Sequence, residues 1–221
     1  MYGLLLRGKY REMPKTHHSH APSYFTLVLD EFRLEDFRSQ NGSWRNKYGG
    51  QVGMKYFDAF GFEHLTFQSE VNFARPFTYS HFNPLQNYAH YVQPLAHPFG
   101  TSFLENVSFI RYRKDRWTAD LKLIHAKYGG EIVGDTTNYG SDIFISYNEN
   151  YKELGNDIAQ GNTSNLKIID IRVGYIVNPK TNMKIELGIS NRSLNDRNTS
   201  TDNQYLFFSF KTDLQNFYYD F

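Results

Sequence analysis

The sequence has 221 residues, of which 24 are basic and 23 acidic, so its formal net charge is +1 at pH 7. These charges are spread along the chain without the basic stripe of a nucleic-acid binder, which excludes nucleic acid as a partner. The lack of cysteine excludes disulfides and thiolate metal sites. The mean hydropathy is −0.60, and no segment approaches the roughly 20 consecutive apolar residues of a membrane helix, so a helical membrane protein is excluded.

Alternation of apolar and polar residues predicts β-strands along the whole chain. The pattern is clearest in 64–74, where Leu65, Phe67 and Val71 share one phase and Thr66 and Gln68 occupy the other. Aromatic residues, which favour strands, make up 17% of the sequence. We predict an all-β protein with nine strands, near 2–10, 24–34, 48–57, 64–74, 103–113, 116–127, 166–177, 183–192 and 204–214.

The two phases of these strands predict two chemically different faces. The apolar phase is expected to face outward as an exposed band that includes Leu65, Phe67, Val71, Phe73, Ile185, Leu187 and Ile189. The polar phase carries charges of both signs, and we predict that it faces a lumen with Glu70, Asp120, Lys122, Asp170, Arg172, Lys184 and Glu186. Because buried charges must be paired, the carboxylates are expected to satisfy the lysine and arginine side chains.

Strand length and connection length favour a membrane barrel over a soluble sandwich. The clearest strands run about 10–12 residues, closer to the 9–11 of a tilted membrane strand than to the 5–6 of an average soluble strand. Short links after Phe57, at Lys114-Asp115 and at 178–182 alternate with long links at 76–102, 129–165 and 193–203. Tight periplasmic turns and long extracellular loops alternate in this way in bacterial outer-membrane barrels. We therefore expect outer-membrane lipid to surround the protein.

The strand count predicts an incomplete, open barrel. The sequence ends on an aromatic strand, 216–221, whose last residue is Phe221 and which resembles the assembly signal of outer-membrane barrels. If the last strand descends to the periplasm, the first strand of a nine-stranded antiparallel series also descends. Single-chain bacterial barrels, however, have an even number of strands. The segment 1–7 lacks the features of a signal peptide. We expect that 1–221 is one partial barrel domain, with N-terminal strands and a signal peptide upstream.

A family resemblance rests on the long link after residue 75. The segment 75–81 reads Arg-Pro-Phe-Thr-Tyr-Ser-His, and 87–100 reads Asn-Tyr-Ala-His-Tyr-Val-Gln-Pro-Leu-Ala-His-Pro-Phe-Gly. This link resembles the capsule-assembly Wzi family of outer-membrane barrels, in particular Bacteroidetes members linked to gliding motility, and the ending 216–221 is similar to the same group. The resemblance implies a non-enzymatic barrel of about 18 strands, an even number, of which this chain is the C-terminal half. It also implies association with surface polysaccharide and with other cell-envelope proteins.

The same link contains the candidate ligand-binding residues. Aromatic rings and imidazoles in a loop at a barrel mouth are suited to contact sugar rings, and the candidates are Tyr79, His81, Tyr88, His90, Tyr91 and His97. Their spacing matches no standard metal motif, and a loop held by hydrogen bonds between its own side chains is the alternative interpretation. A second cluster, His17, His18 and His20, is interpreted as a solvated periplasmic turn. No metal or cofactor is predicted.

Two other functional classes are compatible with the sequence but disfavoured by it. An outer-membrane hydrolase is disfavoured because no serine lies in a nucleophile-elbow motif and no pair of carboxylates stands out. A soluble lipocalin-like binding barrel is disfavoured by the strand lengths and by the terminal Phe221. The sequence therefore favours a non-enzymatic outer-membrane barrel that serves polysaccharide attachment or gliding motility.

Overall fold

A computed structural model describes residues 4–9 and 21–213, with side chains from residue 21 onward. Its strands are β1 (Leu4–Lys9), β2 (Ser23–Glu31), β3 (Lys47–Phe57), β4 (Leu65–Ala74), β5 (Ala89–His90), β6 (Gln93–Pro94), β7 (Phe103–Lys114), β8 (Trp117–Tyr128), β9 (Ser164–Asn178), β10 (Met183–Asn195) and β11 (Ser200–Lys211). A short helix α1 spans Leu34–Arg38, and single 3-10 turns span Ala59–Gly61, Pro84–Gln86, Tyr147–Glu149 and Pro179–Thr181.

In the described part of the chain, nine strands form one antiparallel sheet in the order β1-β2-β3-β4-β7-β8-β9-β10-β11, and β5 with β6 forms a small hairpin within the link from β4 to β7. The prediction of an all-β, antiparallel protein whose consecutive strands are neighbours is confirmed. Within the described residues β1 and β11 do not pair, so the sheet is open there, as predicted. The first and ninth strands of an antiparallel series run in the same direction, so these two strands could pair only as parallel strands.

Apolar side chains cover one face of the sheet, here called the outer face. The strand registers place on it all seven residues predicted to face outward. Of these, Val71, Ile185, Leu187 and Ile189 are exposed, and Leu65, Phe67 and Phe73 are half-buried. Neighbouring strands add further exposed apolar side chains to this face: Phe25, Val52, Met54, Leu104, Trp117, Leu123, Ile169, Ile171, Val173, Tyr175, Leu206, Phe208 and Phe210.

The opposite face, here called the inner face, carries paired charges. The same registers place all seven predicted lumen residues on it. The Arg172 guanidinium donates to both carboxylate oxygens of Asp170, at 2.6 and 2.9 Å. The Glu186 carboxylate lies 2.6 Å from the Lys184 ammonium and 2.5 Å from that of Lys211. The inner face therefore carries clustered ion pairs on β9, β10 and β11, and its role as a lumen wall stays a prediction.

Most of the buried apolar side chains lie at one end of the sheet. The connections 32–46, 75–102 and 129–163 all leave this end and pack on one another, and we call them together the cap. At the opposite end the connections 58–64, 115–116 and 179–182 are short. One prediction about the links is wrong. The link predicted at 193–203 is only the turn 196–199, because β10 extends to Asn195 and β11 begins at Ser200.

Aromatic and charged side chains hold the cap together. The Trp44 ring lies 6.2 Å from Phe77 and 4.9 Å from Tyr147, centroid to centroid. Lys47 is fully buried, and its ammonium donates to the Glu31 carboxylate at 3.0 Å and to a backbone carbonyl of the 75–102 link at 2.9 Å. The same ammonium lies 4.0 Å from the centroid of the Tyr147 ring. A buried ammonium needs such partners, because an unpaired charge there would be strongly destabilising.

Two glycines of the 129–163 link allow a matched test of this packing. Both Gly140 and Gly134 have positive φ, but a Cβ on Gly140 would lie 2.8 Å from Phe77, whereas a Cβ on Gly134 would meet nothing within 4 Å. We expect Gly140→Ala to cost about 1–3 kcal/mol more than Gly134→Ala, because only the first adds a steric clash to the backbone strain. Thermal unfolding and limited proteolysis of the cap measure this difference. Equal losses for the two variants would contradict the packing of Phe77 against Gly140.

Candidate functional site

A cavity of about 690 Å³ lies where the cap meets the inner face. Its floor is formed by β2, β3, β4 and β7, and its roof by the 75–102 link. The polar side chains of the floor are Thr26, Asp30, Gln51, Glu70, Asn72 and Glu105, and the roof contributes Tyr79, Tyr88, Leu95 and His97. The volume lies in the range of about 300–1,000 Å³ that is typical of small-ligand sites.

Three contacts fold the 75–102 link over the inner face. The backbone N–H of Tyr79 donates to Asp30 Oδ2 at 3.0 Å. His97 Nε2 lies 3.0 Å from Glu105 Oε2, and the His97 ring stacks on Phe103 at 4.2 Å between centroids. Phe77 and Tyr79 both have positive φ, at 66° and 69°, so the chain turns back sharply as it leaves β4. The link is thus held against the wall of the sheet.

The structure divides the six predicted ligand-binding residues into two groups. Tyr79, Tyr88 and His97 line the cavity, and the rings of Tyr79 and Tyr88 lie 5.7 Å apart. His81 does not line the cavity, and its backbone N–H donates to an asparagine side chain of the same link at 2.7 Å. His90 and Tyr91 lie on the β5–β6 hairpin, where Tyr91 is 86% exposed.

The histidines of this link therefore do not converge. In the part of the chain that the structure describes, no three histidine, aspartate or glutamate side chains come together as a metal site would require. His17, His18, His20 and the terminal segment 216–221 lie outside the described residues.

Two carboxylates meet on the floor of the cavity. The Asn72 side-chain amide donates to Glu70 Oε1 at 3.0 Å and to Glu105 Oε2 at 3.2 Å, and the Tyr24 hydroxyl donates to the other oxygen of Glu70. Sequence reasoning missed this pair. Glu70 and Asn72 share the polar phase of β4, but their proximity to Glu105 depends on the register in which Asn72 faces Glu105 across β4 and β7.

Tyr79 supplies a hydroxyl at the edge of the cavity. Burial raises the pKa of Tyr79 to about 12, and the nearby Asp30 carboxylate acts in the same direction. The hydroxyl therefore stays protonated at neutral pH, where it can both donate and accept a hydrogen bond. Together with the carboxylates, the cavity offers hydrogen-bonding groups beside two aromatic rings, an arrangement suited to a hydroxyl-rich ligand.

Comparison with known proteins found no relative of this chain. No protein-family model, curated protein or solved structure matches the chain. Among residues 4–9 and 21–213, no helix is long and apolar enough to cross a membrane. The resemblance to the Wzi family consequently rests on the residues of 75–100 and 216–221 alone and stays a prediction.

Proposed function

We propose that this chain is a section of a bacterial outer-membrane β-barrel whose outer face contacts lipid and whose loop end binds surface polysaccharide without enzymatic activity. The observation that carries the proposal is the exposed apolar outer face, which extends from β2 to β11. Eight strands about 4.8 Å apart make this face roughly 34 Å wide. Monomeric soluble proteins rarely expose an apolar patch larger than a few hundred Å².

The height of the apolar face also supports contact with lipid. On β9 the exposed apolar positions run from Ile169 to Val177, which is about 26 Å along the strand. A tilt of about 40° would reduce this to roughly 20 Å, close to the roughly 25 Å apolar band of outer-membrane barrels. Beyond Ile169 the next residue of this face on β9 is Lys167, so the band ends where polar side chains begin.

The distribution of polarity argues against a soluble lipocalin-like barrel. Such a barrel presents polar side chains to water and encloses its apolar ones. Here the arrangement is inverted, since Leu187 and Val173 are exposed on the outer face while Glu186 and Asp170 on the inner face are buried among their partners. Exposed apolar strands with a paired polar interior are the pattern of a membrane barrel.

The open edges favour a larger barrel. In hydrocarbon each unpaired backbone N–H or C=O costs on the order of several kcal/mol. Strands β1 and β11 each have one neighbour within the described residues, so further strands are needed on both outer edges. We propose about 18 strands in all, an even number that restores antiparallel closure, and we expect 1–221 alone to aggregate in a bilayer.

The function at the loop end is proposed from the cavity and from the Wzi-like link. Long connections of outer-membrane barrels face the cell exterior, which would place the cap and the cavity at the cell surface. A cavity lined by Tyr79, Tyr88 and several hydrogen-bonding side chains is suited to polysaccharide. Attachment of a capsule-like layer, or a part in a gliding apparatus with other envelope proteins, follows from the resemblance.

The Glu70–Glu105 pair raises glycoside hydrolysis as the second candidate. Both carboxylates approach the Asn72 amide, so they are close enough together for such chemistry. However, hydrolysis needs one carboxyl group kept protonated as a general acid. Here Glu70 accepts hydrogen bonds from Tyr24 and Asn72, and Glu105 accepts one from Asn72 and lies beside His97, so both carboxyl groups act as acceptors. The geometry therefore favours binding over catalysis.

The test uses cells that naturally make the protein. We expect a strain lacking it to release surface polysaccharide into the medium, and the wild-type gene to restore retention. Tyr88→Ala, which removes a cavity ring, should restore at most about a tenth of the retention, while Tyr91→Ala, on the exposed hairpin, should restore it fully. Membrane fractionation checks that both variants reach the outer membrane. Unchanged polysaccharide retention in the deletion strain would refute the proposed function.

A further inference from the structure

Two polar atoms on the floor of the cavity are hydrogen-bond acceptors without a donor among the described residues. Glu105 is only 8% exposed. Both polar contacts of its carboxylate, with Asn72 and with His97, are made by Oε2. Its Oε1 accepts no hydrogen bond from the described residues. Asn72 uses its amide N–H groups on Glu70 and Glu105, which leaves its carbonyl oxygen without a donor among them. A ligand that satisfies these atoms must donate hydrogen bonds.

The charge of the cavity is one-sided. Three carboxylates, Asp30, Glu70 and Glu105, line it, and among the described residues no lysine or arginine does. The lining imidazole of His97 is already engaged by Glu105. Lys47 and His81 both act on Asp30, but neither lines the cavity. The Lys47 ammonium is fully buried and already engaged by Glu31 and a backbone carbonyl. An anionic ligand would therefore meet like charges without a free cation to compensate them, which is strongly unfavourable at low dielectric.

We propose that this cavity is a subsite for an uncharged or amine-bearing sugar unit and excludes acidic sugars. The proposal rests on the proposed function and adds the chemical class of the polysaccharide. Hydroxyl and ammonium groups of the sugar donate to Glu105 Oε1 and to the Asn72 carbonyl oxygen, and an ammonium gains further from the carboxylates. The C–H face of the sugar ring packs on the Tyr79 and Tyr88 rings, 5.7 Å apart.

Binding to three trisaccharides measures this selectivity. The probes are a glucosamine trimer, which carries amines, an N-acetylglucosamine trimer, which is uncharged, and a galacturonate trimer, which is acidic. They are titrated by calorimetry into the full-length protein purified in detergent. We expect the amine-bearing trimer to bind tightest, the uncharged trimer to bind more weakly, and the acidic trimer to bind at least 100-fold more weakly than the first.

Two variants assign the binding to the cavity. Glu105→Gln should weaken the amine-bearing trimer about tenfold and the uncharged trimer less, while Glu149→Gln, an exposed carboxylate on the cap, should change neither. Gln51→Lys places a cation in the cavity at a side chain that makes no hydrogen bond within the described residues, so the fold should tolerate it. We expect it to abolish binding of the amine-bearing trimer and to allow the acidic trimer to bind.

The outcomes separate this inference from the proposed function. If the acidic trimer binds as tightly as the amine-bearing one, the charge selectivity is wrong while polysaccharide binding stands. If none of the three trimers binds, or if Gln51→Lys leaves their order unchanged, the cavity is not the subsite. In that case the polysaccharide retention of the deletion strain decides independently whether the proposed function survives.

Discussion

Replacing Leu187 by arginine is expected to lower the free energy of unfolding by about 2–4 kcal/mol in lipid, the cost of a cation near the bilayer midplane. Leu187 is 58% exposed at the centre of the apolar run of β10, between Ile185 and Ile189. In a soluble protein an exposed leucine would tolerate arginine within about 0.5 kcal/mol. The size of the loss therefore distinguishes lipid from water as the medium of the outer face.

A matched control lies on the same strand and the same face. Asn191 is exposed four residues nearer the cap, about 13 Å along the strand, where the apolar band ends. Asn191→Arg should cost at most about 1 kcal/mol, as expected near the membrane interface. The free energies of unfolding of both variants are measured by urea unfolding of the full-length protein in lipid vesicles. Heat-modifiable mobility on gels reports the folded fraction. Equal small losses would mean that the outer face does not contact hydrocarbon.

The sheet could be predicted from the sequence because its strands alternate between two different media. Residues on β9 and β10 repeat an apolar and a polar side chain at period two, and this pattern located every strand of the nine-stranded sheet within a few residues. The pattern fails where the apolar phase stops. Asn191, Ser193 and Asp202 continue the ladder between β10 and β11, but polar residues on both faces made 193–203 look like a long link.

The cap could not be predicted, because its contacts join segments far apart in sequence without any period. Trp44, Phe77 and Ile143 belong to three different links, and each side chain is buried only because the other links cover it. The aromatic loop candidates were correctly located in one link, but their local spacing did not indicate that His97 turns inward while His90 turns outward. That difference arises from the contact of His97 with Glu105.

Glu186→Gln is the variant from which we expect the largest loss on the inner face. Glu186 is 1% exposed, and the ammonium groups of Lys184 and Lys211 lie at 2.6 and 2.5 Å from its two oxygens. The amide keeps the shape of the carboxylate but leaves two cations facing each other without an anion. Removing one partner of a fully buried ion pair costs about 3–5 kcal/mol.

The expected loss of stability for Glu186→Gln is smaller than this, because the side chains of Lys184 and Lys211 are 21% and 42% exposed. Water therefore screens part of their repulsion. We therefore expect Glu186→Gln to cost about 2–3 kcal/mol. Asp202→Asn on β11, an exposed carboxylate without a salt bridge among the described residues, is the control and should change the stability by less than about 0.5 kcal/mol.

Urea unfolding at low and at high salt measures both variants and tests the electrostatic origin of the loss. If it comes from repulsion between the two ammonium groups, high salt should recover part of it, because added ions screen partly exposed charges. A loss that salt does not change would point to packing around Glu186. If Glu186→Gln instead unfolds like the wild type, the ion pairs contribute little. The inner face would then be a hydrated wall whose charges are satisfied by water, as expected of a wide, water-filled lumen.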